Sequence, residues 1–569
     1  MISNMKNREV AKLLYDIADL LEIRGEMIFK IRAYRRAAQA VEAMPTDVGE
    51  TWKQGKLDSI PGIGKGITEK IDEYLRKGKL KYLDELKKGL PPGFADMLAI
   101  EGVGPKKVKL FYEKLGIKNI EQLEKAAKSG KLRKIPSLKE KTEQNIIRSI
   151  EASKKRGGRM LLGHALTLSD EIINEMKKCK DIRRIDAAGS LRRMKETIGD
   201  IDILASSEKP DSVIKFFTKM SMVARVIATG PTKASVNLFN GIQVDLRALP
   251  EKEYGSALLY FTGSKEHNIE MRKIAISRRL KLSEYGLFSG KKVLAGRTEQ
   301  DVYRCLGMDY IEPEMRENRG ELEAAKRHEL PGLVGYEDIK GDLHMHTKWS
   351  DGSNTVEEMA NAAGEMGYEY ICISDHIGKL AIARAMDKKR VEQQSREIEK
   401  VRKKSDIQIL HGGEIDIGLD GKFAVPDAVL RKLDIVTASL HSGLKGDGTQ
   451  RILSAMENPN VDIIGHMSGR LIDRRDGVRL DITKITEKAA ETNMVLEINS
   501  QPERLDMNDV NTKAAIGAGC FLAVNTDAHS IADLRYMRIG VATARRGWAP
   551  KSSIINSYPL EKMRKMLKN

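Results

Sequence analysis

The sequence predicts a multidomain chain with three architectures in series: an α-helical front region, a central α+β section, and a closed β/α barrel at the back. Three observations predict it. A glycine-rich turn that opens a helix occurs at 60–67 and again at 100–107. Two short runs of strict alternation, 199–204 and 242–246, each set aspartate against isoleucine, valine or leucine. Beyond residue 337, mostly apolar runs of strand length end repeatedly in a histidine or a carboxylate. At 569 residues the chain is too long for one core and divides into about three or four domains.

Charge and cysteine usage narrow the function classes. Of the formal net charge of +17, residues 1–160 supply +13, from 35 Lys and Arg against 22 Asp and Glu. Counterion release makes such a surface attractive to nucleic acid, a bias that basic ribosomal and membrane-surface proteins share. Cys179, Cys305, Cys372 and Cys520 stand isolated, which argues against a thiolate zinc site and a disulfide framework. No apolar run reaches the roughly 20 residues of a membrane span, and the N-terminus lacks an apolar leader. The expectation is an intracellular, cytoplasmic protein without membrane contact.

In the front region, residues 8–43 read as two helices broken near Gly25. Leu13, Leu14, Ile17, Leu20 and Leu21 form an apolar stripe, and Lys30, Arg32, Arg35 and Arg36 a basic patch. The turn around Gly62, Gly64 and Lys65 then opens a helix through about Leu75, and Gly102, Gly104, Lys106 and Lys107 repeat the unit some 40 residues on. Glycine permits the tight path and leaves main-chain amides at the next helix N-terminus, where a phosphate oxygen docks. Such units read backbone rather than base sequence. One copy alone is indistinguishable from a ligand-free turn between helices; two copies followed by lysines favour DNA contact.

In the central section, 161–180 reads as a helix and 182–188 as a strand running into Gly189 and Ser190. Along 199–204, Asp200 and Asp202 share one face while the isoleucines pack on the other, and Asp245 reaches the same face from the alternating run 242–246. Three converging carboxylates repel one another unless cations separate them, which points to bound metal and nucleotidyl transfer.

These residues resemble the family X DNA polymerases, whose best-known member is DNA polymerase beta. Residues 189–202 (GSLRRMKETIGDID) match the family's glycine-serine and double-aspartate motif, and 241–247 (GIQVDLR) its third-aspartate strand. The resemblance runs from about residue 8 to about 317 and implies a helix-hairpin-helix front, a nucleotidyltransferase palm and a thumb-like subdomain. It further implies that Asp200, Asp202 and Asp245 hold two Mg²⁺ or Mn²⁺ ions, with Asp245 beside the attacking oxygen. Ser190 and Arg193 would hold the outer phosphates of a deoxynucleoside triphosphate, with Gly189 letting the chain approach them. Tyr260 and Phe261 would wall the sugar, Gly263 and Ser264 complete that segment, and Asn268 and Arg272 face the nascent base pair and template. Lys70 falls on the position of the family's 5'-deoxyribose-phosphate lyase lysine, with Tyr34 and Lys30 on two supporting positions. Two phosphate-contacting lysines of that lyase site fall on Gly66 and Tyr82 here.

The back section holds seven of the ten histidines. In 342–346 alternation turns His344 and His346 the same way, with Asp351 in the loop that follows. The runs 371–376, 413–415, 435–441, 462–466 and 521–529 end in His376, Glu414, His441, His466, and Asp527 with His529. Helices at 356–366 and 509–518 lie between them, the pattern of a barrel whose strand ends carry polar groups to one rim. Nine nitrogen and oxygen ligands without a thiolate suit Zn²⁺ or Mn²⁺ and are too many for one ion.

This part resembles the PHP (polymerase and histidinol phosphatase) domain, which implies a distorted (β/α)7 barrel with up to three ions cleaving a phosphodiester. The resemblance places His344, His346, Glu414 and Asp527 on one ion. It gives Glu414, His441 and His529 to a second, and Asp351, His376 and His466 to a third. Asp375 is expected to orient rather than ligate.

Fusion of the two resembles the bacterial and archaeal PolX enzymes. It implies a gap-filling DNA polymerase of base excision repair, joined to a metal-dependent 3'-5' exonuclease, with apurinic-site cleavage also known in the family. Expected partners are gapped or nicked duplex DNA and deoxynucleoside triphosphates, for a monomer. The expected divisions are 1–90, 91–158, 159–317, a linker at 318–337, and 338–569. Three other readings stay open: a template-independent nucleotidyltransferase, a PHP phosphatase of small phosphomonoesters with a DNA-binding anchor, and a non-catalytic repair scaffold.

Overall fold

The computed structural model describes residues 5–567, apart from 43–47, 61, 89, 92, 95–96, 98–99, 101–102, 136–137, 139, 141, 145, 148–149, 151–158, 379 and 381–382. The chain forms two compact units, Met1–Gly157 and Gly158–Asn569.

The first unit is helical throughout its described residues. Helices Met5–Arg24 and Ile28–Glu42 are broken at Gly25, which adopts φ +77°. Leu13, Leu14, Ile17 and Leu21 of the predicted stripe are buried, packed with Ile60, Ile63, Ile67 and Ile71. Helix Lys65–Lys77 is capped at its C-terminus by Gly78 in the left-handed region, where a Cβ would be strained. A second cluster gathers Val108 and Phe111 of helix Pro105–Leu115 with Leu123 and Ala127 of helix Ile120–Lys128.

The second unit opens with a five-stranded sheet in the order Arg184–Ala187, Ile201–Ser206, Gln243–Leu249, Lys233–Leu238, Val223–Thr229. Only the pair Ile201–Ser206 and Gln243–Leu249 is parallel. Ile201, Ile203, Val244 and Leu246 are buried with Ile172 of helix Leu162–Met176 and Phe217 of helix Pro210–Thr218. Next, helices Tyr254–Thr262 and Lys265–Ser277, a three-stranded antiparallel sheet and helix Glu299–Cys305 build a thumb-like subdomain around Leu259, Met271, Leu287 and Tyr303.

The stretch 318–337, expected as a linker from its charges, is built into this core. Its helix Glu321–Arg327 buries Leu322 and Ala325 there. Glu321, fully buried, faces the His267 imidazole at 2.8 Å and accepts the main-chain N–H groups of Asn318 and Arg319. A buried charge is tolerated only when paired and hydrogen-bonded in this way. Composition alone does not reveal such pairing.

Seven strands then run parallel in the order Gly341–Met345, Tyr370–Ile373, Gln408–Asp416, Ile435–Ser439, Ile463–Gly465, Val495–Asn499, Leu522–Asn525. The two-residue strand His376–Ile377 pairs with Gln408–Asp416 at the rim. A parallel bridge from Met345 to Ala528, with the His346 N–H donating to the Ala528 carbonyl, joins the first strand to the last and closes the barrel. The expected helices appear as Val356–Glu365, started by a capping box of Thr355 and Glu358, and Asp509–Gly517. The five-stranded sheet and the barrel share one apolar core, because Leu505, Ile539 and Ala542 of the barrel section pack with Leu191 and Ile198. No helix among the described residues is long and apolar enough to cross a membrane.

Candidate active sites

Parallel pairing of Ile201–Ser206 with Gln243–Leu249 sets Asp202 directly opposite Asp245. On a parallel pair this brings the two main chains within about 5 Å and turns both side chains to one face. Asp200 lies in the turn just before the strand, exposed, so the strand starts two residues later than the run 199–204 suggested. Burial pushes the Asp202 carboxyl up to about 7, and the charges of Asp200 and Asp245 push it the same way. Those repulsions are what a cation placed among the three would relieve. Gln243 donates to Asp245 Oδ2 at 2.9 Å and steadies it. Asp202 and Asp245 open onto a cleft of about 320 Å³ whose lining includes Lys233, Arg247 and Phe261.

Gly189, at φ +59°, lies under Asp202, and a Cβ on it would fall 2.0 Å from Asp202 Oδ2. The tight turn into helix Gly189–Arg192 thus requires glycine both for its conformation and for space. Gly189→Ala is expected to cut nucleotide addition about 100-fold or more by displacing Asp202, with 3' trimming unchanged. Single-turnover extension measures it, and addition near the parent rate would refute the packing argument.

Ser190 and Arg193 follow on the same turn. Arg193 donates through Nε to Glu317 at 3.0 Å and through Nη1 to the Thr262 carbonyl. Gly263, at φ +71°, packs against this guanidinium. Tyr260 and Phe261 meet edge to face at 5.1 Å, with Arg247 over the Phe261 ring. Ser264 caps helix Lys265–Ser277 by accepting the His267 N–H, and Asn268 donates to the Tyr260 carbonyl, so both serve local structure. Arg272 is exposed. Arg192, a basic neighbour of Arg193 on the same turn, forms a two-pronged pair with buried Glu299, which also holds the fully buried Arg316.

In the helical unit, Gly64 and Gly104 are the residues immediately before helices Lys65–Lys77 and Pro105–Leu115, and neither helix start carries a side-chain cap. Gly62 adopts φ +86°. Gly62, Gly64, Lys65, Gly104 and Lys106 are exposed, Lys107 is half-buried, and Gly102 lies outside the described residues. Lys70 Nζ sits 4.7 Å over the Tyr82 ring and donates to the Gly66 carbonyl. Lys30 lies 5.8 Å over the same ring, and Tyr34 stacks on it at 6.4 Å.

At the barrel mouth all nine proposed ligands converge, and Glu414 is their centre. Its Oε2 lies 3.0 Å from His376, 3.5 Å from His344 and 3.6 Å from His346, while Oε1 lies 3.2 Å from His441 and 3.0 Å from His466. Three groups have ligand atoms close enough for one ion: His344, His346 and Asp527; His376, Glu414 and His441; and Asp351 with His346, His376 and His529. This geometry corrects the expected partition. His529 faces Asp351 at 3.5 Å, and His466 belongs beside Glu414 and His441, the reverse of the sequence-based assignment. Strand order decides it, because His466 ends the strand next to the one that ends in His441, whereas His529 follows the last strand, which closes onto the first.

Electrostatics suit cations. Burial opposes charge on Glu414 and Asp527, yet the surrounding imidazoles hold both carboxyls well below their usual range. Burial pushes the His376 imidazole down to about 3, whereas Glu414 and Asp416 outweigh burial and raise His441 to about 9. Glu414 Oε1 and the Nδ1 atoms of His346 and His466 are buried without a hydrogen-bond partner, a cost that metal ligation of this cluster would offset.

Sequence reasoning missed Glu497, which is fully buried on strand Val495–Asn499. Its Oε1 lies 2.7 Å from His344 Nδ1 and its Oε2 accepts the His466 N–H at 2.8 Å. That contact fixes the tautomer that leaves His344 Nε2 for a metal. The signal was present as a lone carboxylate in an apolar strand. Glu497→Gln should lower metal affinity about 10- to 100-fold with extension unchanged; calorimetric titration with Mn²⁺ checks it, and unaltered affinity would remove Glu497 from the site. Asp375 accepts from Thr347, Ser350 and Gln394, and so pins the loop carrying Asp351. His411, the seventh late histidine, faces Gln394 instead of the metal cluster. Arg504, also missed, lies 3.8 Å from Asp527.

Family signatures match along most of the chain: "Helix-hairpin-helix domain" at 5–80, "SAM-like Helix-hairpin-helix tandem" at 94–152, "DNA polymerase beta thumb" at 257–317 and "PHP domain" at 342–501. The chain is 36% identical to the "DNA polymerase/3'-5' exonuclease PolX" of Bacillus subtilis, over 99% of this chain and 100% of that protein. It is 25% identical to "DNA polymerase lambda" of Rattus norvegicus, over 55% of this chain and 56% of that protein. A "Probable phosphatase" of Clostridium acetobutylicum is 32% identical over 28% of this chain and 64% of its own length.

Proposed function

Since the chain belongs to the PolX family, DNA polymerases of the beta type carrying a PHP nuclease domain, we propose that it fills short gaps in DNA during base excision repair and trims 3' ends from a separate metal centre. The observation that carries this reading is the pairing of Asp202 with Asp245 over Gly189, in the same chain as a nine-ligand barrel mouth.

For addition, Asp200, Asp202 and Asp245 are the residues to hold two divalent cations, Asp245 on the primer side. Bound Mg²⁺ or Mn²⁺ supplies charge neutralisation on the triphosphate and a lowered pKa at the primer 3'-hydroxyl. Ser190 and Arg193 bind the outer phosphates, and Tyr260 and Phe261 bound the sugar. The glycine turns at Gly62–Gly64 and Gly102–Gly104, with Lys65, Lys106 and Lys107, grip the duplex backbone without regard to sequence. The proposed partner is gapped or nicked duplex, bound by a monomer.

For trimming, His344, His346, Glu414 and Asp527 form one metal set. Glu414, His441 and His466 form a second, and Asp351, His376 and His529 a third. Zn²⁺ or Mn²⁺ there supplies an activated water and neutralises charge on the phosphodiester. Arg504 adds a fixed positive charge at the rim. The same centre is assigned apurinic-site cleavage.

Lys70 is assigned as the lyase amine, supported by Lys30 and by Tyr34 and Tyr82 around it. It condenses with the C1' aldehyde of a 5'-deoxyribose phosphate and expels water; loss of a C2' proton from the imine then breaks the C3'–O bond and releases the downstream strand with a 5'-phosphate, and water hydrolyses the imine to free the lysine. Borohydride trapping tests it, and a trapped adduct on Lys70→Ala would refute it.

One assay tests the main reading: a one-nucleotide-gapped duplex with a 5'-phosphate, given Mg²⁺, Mn²⁺ or Zn²⁺ in turn. Template-directed insertion and metal-dependent 3' trimming are expected. Homopolymer extension without a template, or faster turnover of a phosphomonoester than of DNA, would overturn it.

A further inference from the structure

Helix Met537–Arg546 belongs to the barrel section, but its last residue ends against the phosphate-binding turn of the polymerase site. Arg546 is 4% exposed. Its Nη1 donates to the Arg193 carbonyl at 2.6 Å and to Glu317 Oε1 at 3.1 Å. The same Glu317 oxygen accepts from Arg193 Nε, and Arg546 Nη2 donates to Asp509 at 2.6 Å, where Arg319 Nη1 also donates at 3.0 Å. Lys195 Nζ approaches Glu317 Oε2 at 3.8 Å.

We infer that Arg546 is a positioning residue for nucleotide addition, supplied by the nuclease domain. It neutralises Glu317 and holds the Arg193 main chain, so that the Arg193 guanidinium stays available to the triphosphate. The inference rests on the reading of Arg193 as a phosphate ligand. The physical need is specific. Glu317 anchors Arg193 through Nε, while the Thr262 carbonyl takes Nη1, which leaves the third nitrogen to a ligand. A carboxylate this close to the outer phosphates would repel them if Arg193 and the half-exposed Lys195 alone balanced it. Arg546 adds a buried positive charge on the oxygen that Arg193 also uses, and Asp509 in turn fixes Arg546 from the barrel helix Asp509–Gly517. Burial strengthens each of these interactions, because little solvent screens them.

The nuclease domain therefore tunes triphosphate affinity without touching the nucleotide. Its metal ligands lie on strand ends and loops elsewhere in the barrel, so the two activities respond separately to a change at Arg546.

Full-length variants are to be compared in steady-state dNTP insertion on the one-nucleotide gap and in 3' trimming of single-stranded DNA. R546A should raise the KM for dNTP about tenfold, because Glu317 then draws its compensation from Arg193 and Lys195 alone, with kcat within about threefold and trimming within about twofold. R546A with E317Q should recover most of that KM, because the uncompensated charge is gone. R546K retains the charge but loses the fork that spans Arg193, Glu317 and Asp509. It should raise KM about threefold, and this arm keeps the test open if R546A does not fold. Equal loss of insertion and trimming would mark Arg546 as merely structural and overturn the inference. So would an unchanged KM in both R546A and R546K while R193A raises it. If R193A also leaves KM unchanged, the phosphate role of Arg193 itself fails.

Discussion

Asp245→Ala is expected to lower nucleotide addition on a gapped duplex by on the order of 10³ or more, while 3' trimming stays within about twofold of the parent. Asp245 faces Asp202 across a parallel register and is steadied by Gln243. On the proposed reading a primer-side cation would then lose one of its three carboxylates, leaving Asp200 and Asp202. Asp245→Asn keeps the shape and removes the charge, so it should be nearly as inactive. Single-turnover extension with saturating Mg²⁺ reads the effect. Addition within tenfold of the parent would show that Asp245 is not part of the centre. Joint loss of both activities in a folded variant would count against separate centres.

His344→Ala together with His346→Ala should do the reverse. Both imidazoles are fully buried, their Nε2 atoms lie 3.3 Å apart, and His346 Nε2 is 3.0 Å from Asp527. Removing them strips Asp527 of two of the three imidazoles that hold its carboxyl ionised and Glu414 of one, with His441 and His376 remaining, so the proposed metal set loses two ligands and part of its electrostatic support. Trimming should fall by on the order of 10³, with at least one metal ion lost per chain by elemental analysis. Extension should persist. Because two large-to-small changes in a core also cost stability, a thermal melt accompanies the assay. Trimming that survives in a folded double variant would remove the barrel mouth from the nuclease reading.

The gains and losses of sequence reading follow from what each signal depends on. Alternation and capping are local, so the aspartate strands, the helices at Val356–Glu365 and Asp509–Gly517, and the strands feeding the barrel mouth were legible. Which side chains converge at the barrel mouth was legible too, since the apolar runs end in them one after another. Their grouping was not. Whether His466 or His529 joins Asp351 depends on which strands are neighbours and where the barrel closes, and chain order alone carries neither.

Buried charge was the other blind spot. Glu321, Arg316, Glu497 and Arg546 all occur in stretches whose composition reads as solvated or apolar, yet each is buried against a partner remote in sequence. Desolvation makes such groups untenable alone and stable in pairs. The amino-acid sequence by itself therefore determined the elements, the residues that converge at the barrel mouth and the family. Only the tertiary structure decided which of those residues lie together, the packing of 318–337 into the thumb-like core, and the junction of Arg546 with Glu317, because those depend on which groups meet after the chain has folded.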